Sequence, residues 1–173
     1  MKSIFVGLMG FLALSGVALA KGDAAKDEAA IKATCAAFDA AWAKGDGKAV
    51  AAVFTEDATL VNAMGQTSDG RAAIEKQMTT DFGGMLKGTT HAITMTSIKF
   101  VKPEVAVGDA DLVMTGAKGP DGKAMPPMKL KGTGVFVKQK GAWLFAAARG
   151  YALVPPPPAP PVAPAAPAAK PAK

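Results

Sequence analysis

Val105-Ala106-Val107-Gly108-Asp109-Ala110-Asp111-Leu112-Val113-Met114 and Met128-Lys129-Leu130-Lys131-Gly132-Thr133-Gly134-Val135-Phe136-Val137 decide how this chain folds. Both stretches alternate with period two, and Gly119-Pro120-Asp121-Gly122 between them is a strong turn, so together they predict a β-hairpin. Folding about that turn sets Asp109 near Lys131 and Asp111 near Lys129, with all four side chains on the odd-numbered face. Opposite charges across a ladder contribute about 0.2–1 kcal/mol provided they stay solvated. The odd face is therefore the outer one, and Asp109 and Asp111 read as its ion-pairing residues, not as catalytic carboxylates. The inner face then carries Ala106, Gly108, Ala110, Leu112 and Met114 opposite Met128, Leu130, Gly132, Gly134 and Phe136. Residues this small leave room either for tight helix packing or for an open cavity.

The neighbours of the hairpin extend the sheet. Thr90–Val101 is rich in β-branched residues and turns at Lys102-Pro103-Glu104, and Ala142–Leu153 follows the turn Lys138-Gln139-Lys140-Gly141. Upstream the period changes to helical. Ile31, Cys35, Phe38 and Trp42 recur at spacings of four, three and four, which places them on one face of a helix over 24–44 that stops at Lys44-Gly45-Asp46-Gly47. Asp39 lies about 100° around that helix from the apolar stripe and is expected in solvent. Val50, Val53 and Phe54 predict a short second helix, and Ala58–Ala63 a strand ended by Met64-Gly65. Ser68-Asp69-Gly70 offers an N-cap for a third helix with Ile74, Met78, Phe82 and Met85 facing inward. Helices followed by consecutive antiparallel strands mean an α+β fold, three N-terminal helices packed on one face of a curved, mainly antiparallel sheet.

The ends read differently. Lys2, an apolar run from Ile4 to Val17, and Ala18-Leu19-Ala20 describe a secretory signal peptide cleaved after Ala20, which makes the protein periplasmic or secreted. That run is short of the ~20 residues a transmembrane helix needs. No cysteine follows Ala20, which argues against a lipoprotein. Val154–Lys173 holds 9 Pro and 7 Ala in 20 residues and is expected to be an extended tail that serves as a spacer or meets an envelope partner. The intervening residues, 21–153, form one domain. One Cys and one His among 173 residues exclude a disulfide framework and a His/Cys zinc cluster within the chain. The net charge of +6 comes from 20 basic and 14 acidic residues; without Lys2, Lys170 and Lys173, 17 basic residues face the same 14 acids. That balance, with no basic run and no aromatic stacking platform, gives nucleic acid no footing.

A resemblance follows from three segments. Phe38-Asp39-Ala40-Ala41-Trp42-Ala43-Lys44-Gly45-Asp46, then Phe54-Thr55-Glu56-Asp57-Ala58-Thr59-Leu60-Val61-Asn62, then Gly65 and Gly70-Arg71-Ala72-Ala73-Ile74-Glu75 resemble the nuclear transport factor 2-like superfamily, and within it the SnoaL-like or SgcJ/EcaC-like group, a domain of unknown function. Val105-Ala106-Val107 and Ala142-Trp143-Leu144-Phe145-Ala146-Ala147 are similar to that group's later strands. The resemblance implies a cone-shaped, cystatin-like fold with a pocket, and a homodimer formed through the open sheet face. The superfamily uses such pockets for isomerases, cyclases, dehydratases and plain binding domains. In its steroid isomerase branch the resemblance places the carboxylate base at Asn62, the oxyanion tyrosine at Phe38 and a second acid near Gly132–Gly134. Asparagine takes no proton near neutral pH and phenylalanine donates no hydrogen bond, so that constellation is absent.

The expected ligand-facing residues are Phe38, Trp42, Asn62, Phe82, Arg149 and Tyr151. Strand alternation sends Arg149 and Tyr151 the same way as Trp143 and Phe145, so Arg149 can receive an anionic group or reach solvent at the rim. His91 is the one side chain whose ordinary pKa suits proton transfer near pH 7, and it sits with Ile93 and Met95 at a strand start. The methionines read as core filler in a deformable pocket. No Gly-rich phosphate loop, nucleophile elbow or metal-ligand spacing proposes a cofactor, and none is expected. The functional expectation is a domain that binds a small apolar or weakly anionic molecule, with no recognisable catalytic constellation. Its rivals are an acid/base lyase, cyclase or isomerase using His91, and a filled scaffold that acts through its tail.

Overall fold

A computed structural model describes residues 21–152 apart from Pro120; the expected leader and the Pro/Ala-rich tail lie outside the described residues. The elements in chain order are α1 (Lys21–Ala43), α2 (Gly47–Ala52), β1 (Phe54–Val61), β2 (Thr67–Asp69), α3 (Arg71–Gly83), β3 (Thr90–Lys102), β4 (Val105–Thr115), β5 (Met128–Gln139) and β6 (Ala142–Ala152). The six strands form one sheet in the order β2-β1-β6-β5-β4-β3, with the helices on its inner face. The fold is α+β, as expected. Every pair is antiparallel except β1 with β6, which run parallel, a pairing that consecutive hairpins cannot supply.

The helices follow their apolar stripes. Ile31, Cys35, Phe38 and Trp42 are buried on α1, and Ile74, Met78 and Phe82 on α3. Gly45, at φ +65°, provides the left-handed residue that ends α1. Three local expectations are corrected. Phe54 begins β1 instead of closing a helix, because α2 stops at Ala52. Ser68 and Asp69 do not cap α3 but form β2 against β1, and the N-cap is Gly70 with no side-chain hydrogen bond. Met85 lies beyond the end of α3 and is 56% exposed.

The central hairpin keeps its expected faces and shifts its register. Asp111 pairs with Lys131, Asp109 with Thr133, and Lys129 with Val113. The turn runs from Gly119 to Lys123, closed by Gly119 N–H donating to the Lys123 carbonyl at 2.9 Å, so its centre falls at Asp121, one residue later than the centre at position 120 that the expected Asp109–Lys131 pairing needs. Moving the centre by one residue moves the register by two, and a shift of two preserves which side chains point inward. The ion pair that forms is Lys131 with Asp111.

Of the register shifts in the sheet, two bulges bear on which side chains face the helices. In β3 an extra residue, Thr96, stands between the Met95–Ala110 and Ser97–Asp109 pairs, and in β6 Ala146 stands between the Phe136–Phe145 and Val135–Ala147 pairs. Each bulge inverts the alternation beyond it while increasing local twist. Small residues on the inner face make room for large neighbours. A Cβ on Gly134 would meet the Phe136 ring at 2.9 Å and the Phe145 ring at 3.1 Å, so these aromatic rings lie directly over the glycine backbone.

Candidate functional site

Above those rings, helices and sheet enclose a cavity of about 360 Å³. This is within the range of small-molecule sites, and its wall is mainly apolar. Phe38 and Trp42 from α1 and Phe136 and Phe145 from the sheet supply aromatic surface. All seven methionines downstream of Met9 line it as well. Met64, Met85 and Met125 are exposed at its edge, while Met78 lies buried. A flexible thioether wall adapts its shape to the occupant. Cys35 also faces the cavity and donates to the Met95 sulfur at 3.6 Å. Burial, with the nearby Asp39 carboxylate, pushes its thiol up to about 12, so it is a small apolar wall residue.

One polar assembly is built into this wall. His91 lies on the inner face of β3, its side chain only 7% exposed. Its ring stacks on Trp42 with centroids 4.6 Å apart and meets the edge of Phe38 at 5.4 Å. Nδ1 lies 2.8 Å from Asp39 Oδ1, and the other carboxylate oxygen accepts from the Ile93 backbone N–H at 2.8 Å. Asp39 is thus held at both oxygens and orients the imidazole through Nδ1, which leaves Nε2 without a side-chain partner among the described residues. Trp42 is held in turn, because its indole N–H donates to Thr89 Oγ1 at 3.0 Å, and that hydroxyl donates to the Leu86 carbonyl. The expectation that Asp39 faces solvent is corrected. α1 packs against β3, the edge strand, so a residue rotated away from the apolar stripe still meets that strand's unpaired N–H.

Residues 23–149 match the family model of the SnoaL-like domain. The chain belongs to the SnoaL-like domain family. Its fold is also that of solved structures. An uncharacterised protein with a cystatin-like fold from Caulobacter vibrioides is 24% identical, with a TM-score of 0.66 over 75% of this chain and 92% of that one. A putative scytalone dehydratase from Novosphingobium aromaticivorans is 21% identical, with a TM-score of 0.66 over 78% and 89%. A type 2 hexachlorocyclohexane dehydrochlorinase (LinA) is 19% identical, with a TM-score of 0.68 over 82% and 99%. No curated protein sequence matches the chain. The cystatin-like, nuclear transport factor 2-like fold expected from the sequence is therefore the one observed.

Within this SnoaL-like domain the other expected ligand-facing residues fall in different places. Phe38 and Trp42 form cavity wall. Phe82 is buried behind Trp42, edge to face at 5.4 Å, and is not among the lining residues. Asn62 is among the lining residues. It sits just past β1 at the cavity's rim, where Oδ1 accepts from Met64 N–H and Gln66 N–H and Nδ2 donates to the Gln66 side chain at 2.7 Å. Those bonds organise the β1–β2 turn. The Ala146 bulge gives Arg149 and Tyr151 the outward parity, yet Arg149 still borders the cavity, whereas Tyr151 does not. Arg149 pairs with Thr133 on the outer face and donates to the carbonyls of Thr59 and Ala148, both at 2.9 Å. Tyr151 stands opposite Lys131 and is 45% exposed. Asp39, missed as a site residue in the sequence, carries only the weak signal of an acidic side chain next to an inward Phe38. Among the described residues, no group of three His, Cys, Asp or Glu side chains gathers to hold a metal ion.

Proposed function

We propose that this domain admits a small, largely apolar molecule and carries out proton-transfer chemistry on it, an elimination or an isomerisation, with His91 as the base. The observation that carries the reading is the His91–Asp39 pair, set in the wall of an apolar cavity with both carboxylate oxygens occupied. In this reading Nε2 takes a proton from a carbon of the bound molecule. The electron pair left behind forms a double bond as a leaving group departs, or shifts an existing one. Asp39 stabilises the imidazolium that results, the role a buried carboxylate plays beside a catalytic histidine. A stacked, nearly dry imidazole loses no orientation at the moment of transfer. By their names, two of the similar structures, a dehydratase and a dehydrochlorinase, catalyse eliminations, which supports the choice of reaction class. The steroid isomerase positions at Asn62 and Phe38 play no part.

The test uses a panel of small alicyclic chlorides and alcohols, with loss of hydrogen chloride or water followed by gas chromatography and mass spectrometry. Wild-type protein is expected to turn over at least one of them, His91→Gln to lose roughly 10²–10⁴-fold in rate, and Asp39→Asn to lose a large part of the same factor. Turnover that survives His91→Gln overturns the assignment. Binding without any turnover would favour the simple binding domain expected from the sequence. We further read the domain as exported to the periplasm or beyond after cleavage at Ala20. It is read as a homodimer formed through the outer sheet face, with the Pro-rich tail available to an envelope partner.

A further inference from the structure

The inner face of α3 carries one residue that its packing does not explain. Ile74, Met78 and Phe82 form its buried stripe, and Asp81 is buried with them, 9% exposed, in the wall of the cavity. A carboxylate removed from water needs several donors or a cation. The same molecule shows what satisfaction looks like. Asp27 takes Lys138 and Trp143, and Asp39 takes His91 and the Ile93 N–H. Asp81 has a single side-chain partner among the described residues, the Gln77 amide, which donates to Oδ1 at 2.9 Å from one turn earlier. No ion pair reaches it among the described residues. No fully enclosed side-chain oxygen or nitrogen of the described residues lacks a partner, so Oδ2 is open, and Asp81 lines the cavity.

We infer that Asp81, steadied by Gln77, is the acceptor that reads a hydroxyl group on a neutral, apolar ligand in this cavity. One free carboxylate oxygen matches one O–H donor. An ammonium would bring further N–H groups into a wall that is mainly apolar. An anionic ligand would face the carboxylate, with cations only at the exposed edge of the cavity. Of the two cations along the cavity, Arg149 is exposed and turns one terminal nitrogen to the backbone carbonyls of Thr59 and Ala148, and Lys118 is exposed in the β4–β5 loop. Asp81 is thereby a specificity residue, in a role separate from proton transfer at His91. The inference rests on the cavity being a ligand site, and its test reads affinity instead of turnover, so failure of the His91 chemistry would leave the result untouched.

Isothermal titration calorimetry on the full chain with naphthol, methoxynaphthalene and naphthalene decides it, the three probes sharing a ring system and differing only in their donor. Wild-type protein is expected to bind naphthol roughly ten- to a hundredfold tighter than the other two. Asp81→Asn, which can turn an amide N–H toward the cavity, is expected to weaken naphthol and to favour methoxynaphthalene. Asp81→Leu removes the acceptor whichever way the Gln77 amide lies, and is expected to erase the preference while naphthalene binds as before. The inference is overturned if wild-type protein treats the three probes alike or binds none, or if either variant shifts all three by the same factor.

Discussion

Asp27 and Asp39 lie twelve residues apart on α1, and each joins the helix to the sheet through its carboxylate, buried at Asp27 and half-buried at Asp39. At Asp27, Oδ1 accepts from Lys138 Nζ at 2.7 Å and from the Trp143 indole N–H at 2.8 Å. The Lys138 hydrogen bond, then that of Trp143, holds the carboxyl below its usual value, and burial only partly opposes them. With the folded value depressed, the unfolded chain binds the proton first as pH falls. The stabilisation is therefore complete above the ordinary carboxylate range, and it is lost as pH drops from about 4 through the folded value. Asp27→Asn is expected to cost about 1–3 kcal/mol at pH 7 and to flatten the acid limb of a plot of melting temperature against pH. Circular dichroism melts between neutral and acid pH check this, and a variant whose curve runs parallel to wild type would show that Asp27 carries no such linkage. Single residues also mark the limit of sequence reading. His91 was legible as the one titratable group suited to neutral pH. Its partner was not, because helical periodicity describes a residue's angle to the apolar stripe but not which strand flanks the helix.

Elements obey parity until a bulge breaks it. The inner face of β4 and β5 was legible in full, since alternation survives a register error of two. On β6 the same argument placed Trp143 and Phe145 correctly and then inverted the parity of Arg149 and Tyr151, although Arg149 still borders the cavity, because nothing in Ala146-Ala147-Ala148 announces an unpaired residue. The short β2 was hidden for a related reason. Three residues with turn chemistry read as a cap, and only the facing β1 makes them a strand. The rings that Gly134 accommodates depend on this element geometry. Gly134→Ala drives a methyl group into Phe136 and Phe145 and is expected to destabilise by about 1–3 kcal/mol, as over-packing does. Gly83→Ala, at the end of α3 with open space around its Cβ, is expected to be neutral or to stabilise by up to about 1 kcal/mol. Urea unfolding of the two variants separates them. Equal losses would mean that helix propensity and ring packing are not the operative causes.

At the scale of the whole molecule, the described residues cover one face of the sheet and leave the other bare. The inner side packs on three helices. The outer side carries half-buried Val107, Val135, Val137 and Leu144 across β4, β5 and β6, bordered by the polar group of Asp109, Asp111, Lys131 and Arg149. An apolar strip framed by charges of both signs is what a self-complementary two-fold contact uses, since each copy can set its acids against the other's bases. The homodimer expected from the family resemblance thus has a physical candidate for its interface, on the face opposite the cavity wall. On the proposed export and dimer, native mass spectrometry of the protein recovered from cells is expected to give two copies per particle, each lacking residues 1–20. Val135→Lys places an ammonium at the centre of the strip on a side chain that does not line the cavity. It is expected to yield monomers that retain wild-type affinity for naphthol. A wild-type monomer would remove the interface. A Val135→Lys dimer would move it elsewhere on the surface, and loss of naphthol binding in the monomer would mean that the two faces of the sheet are coupled through its strands.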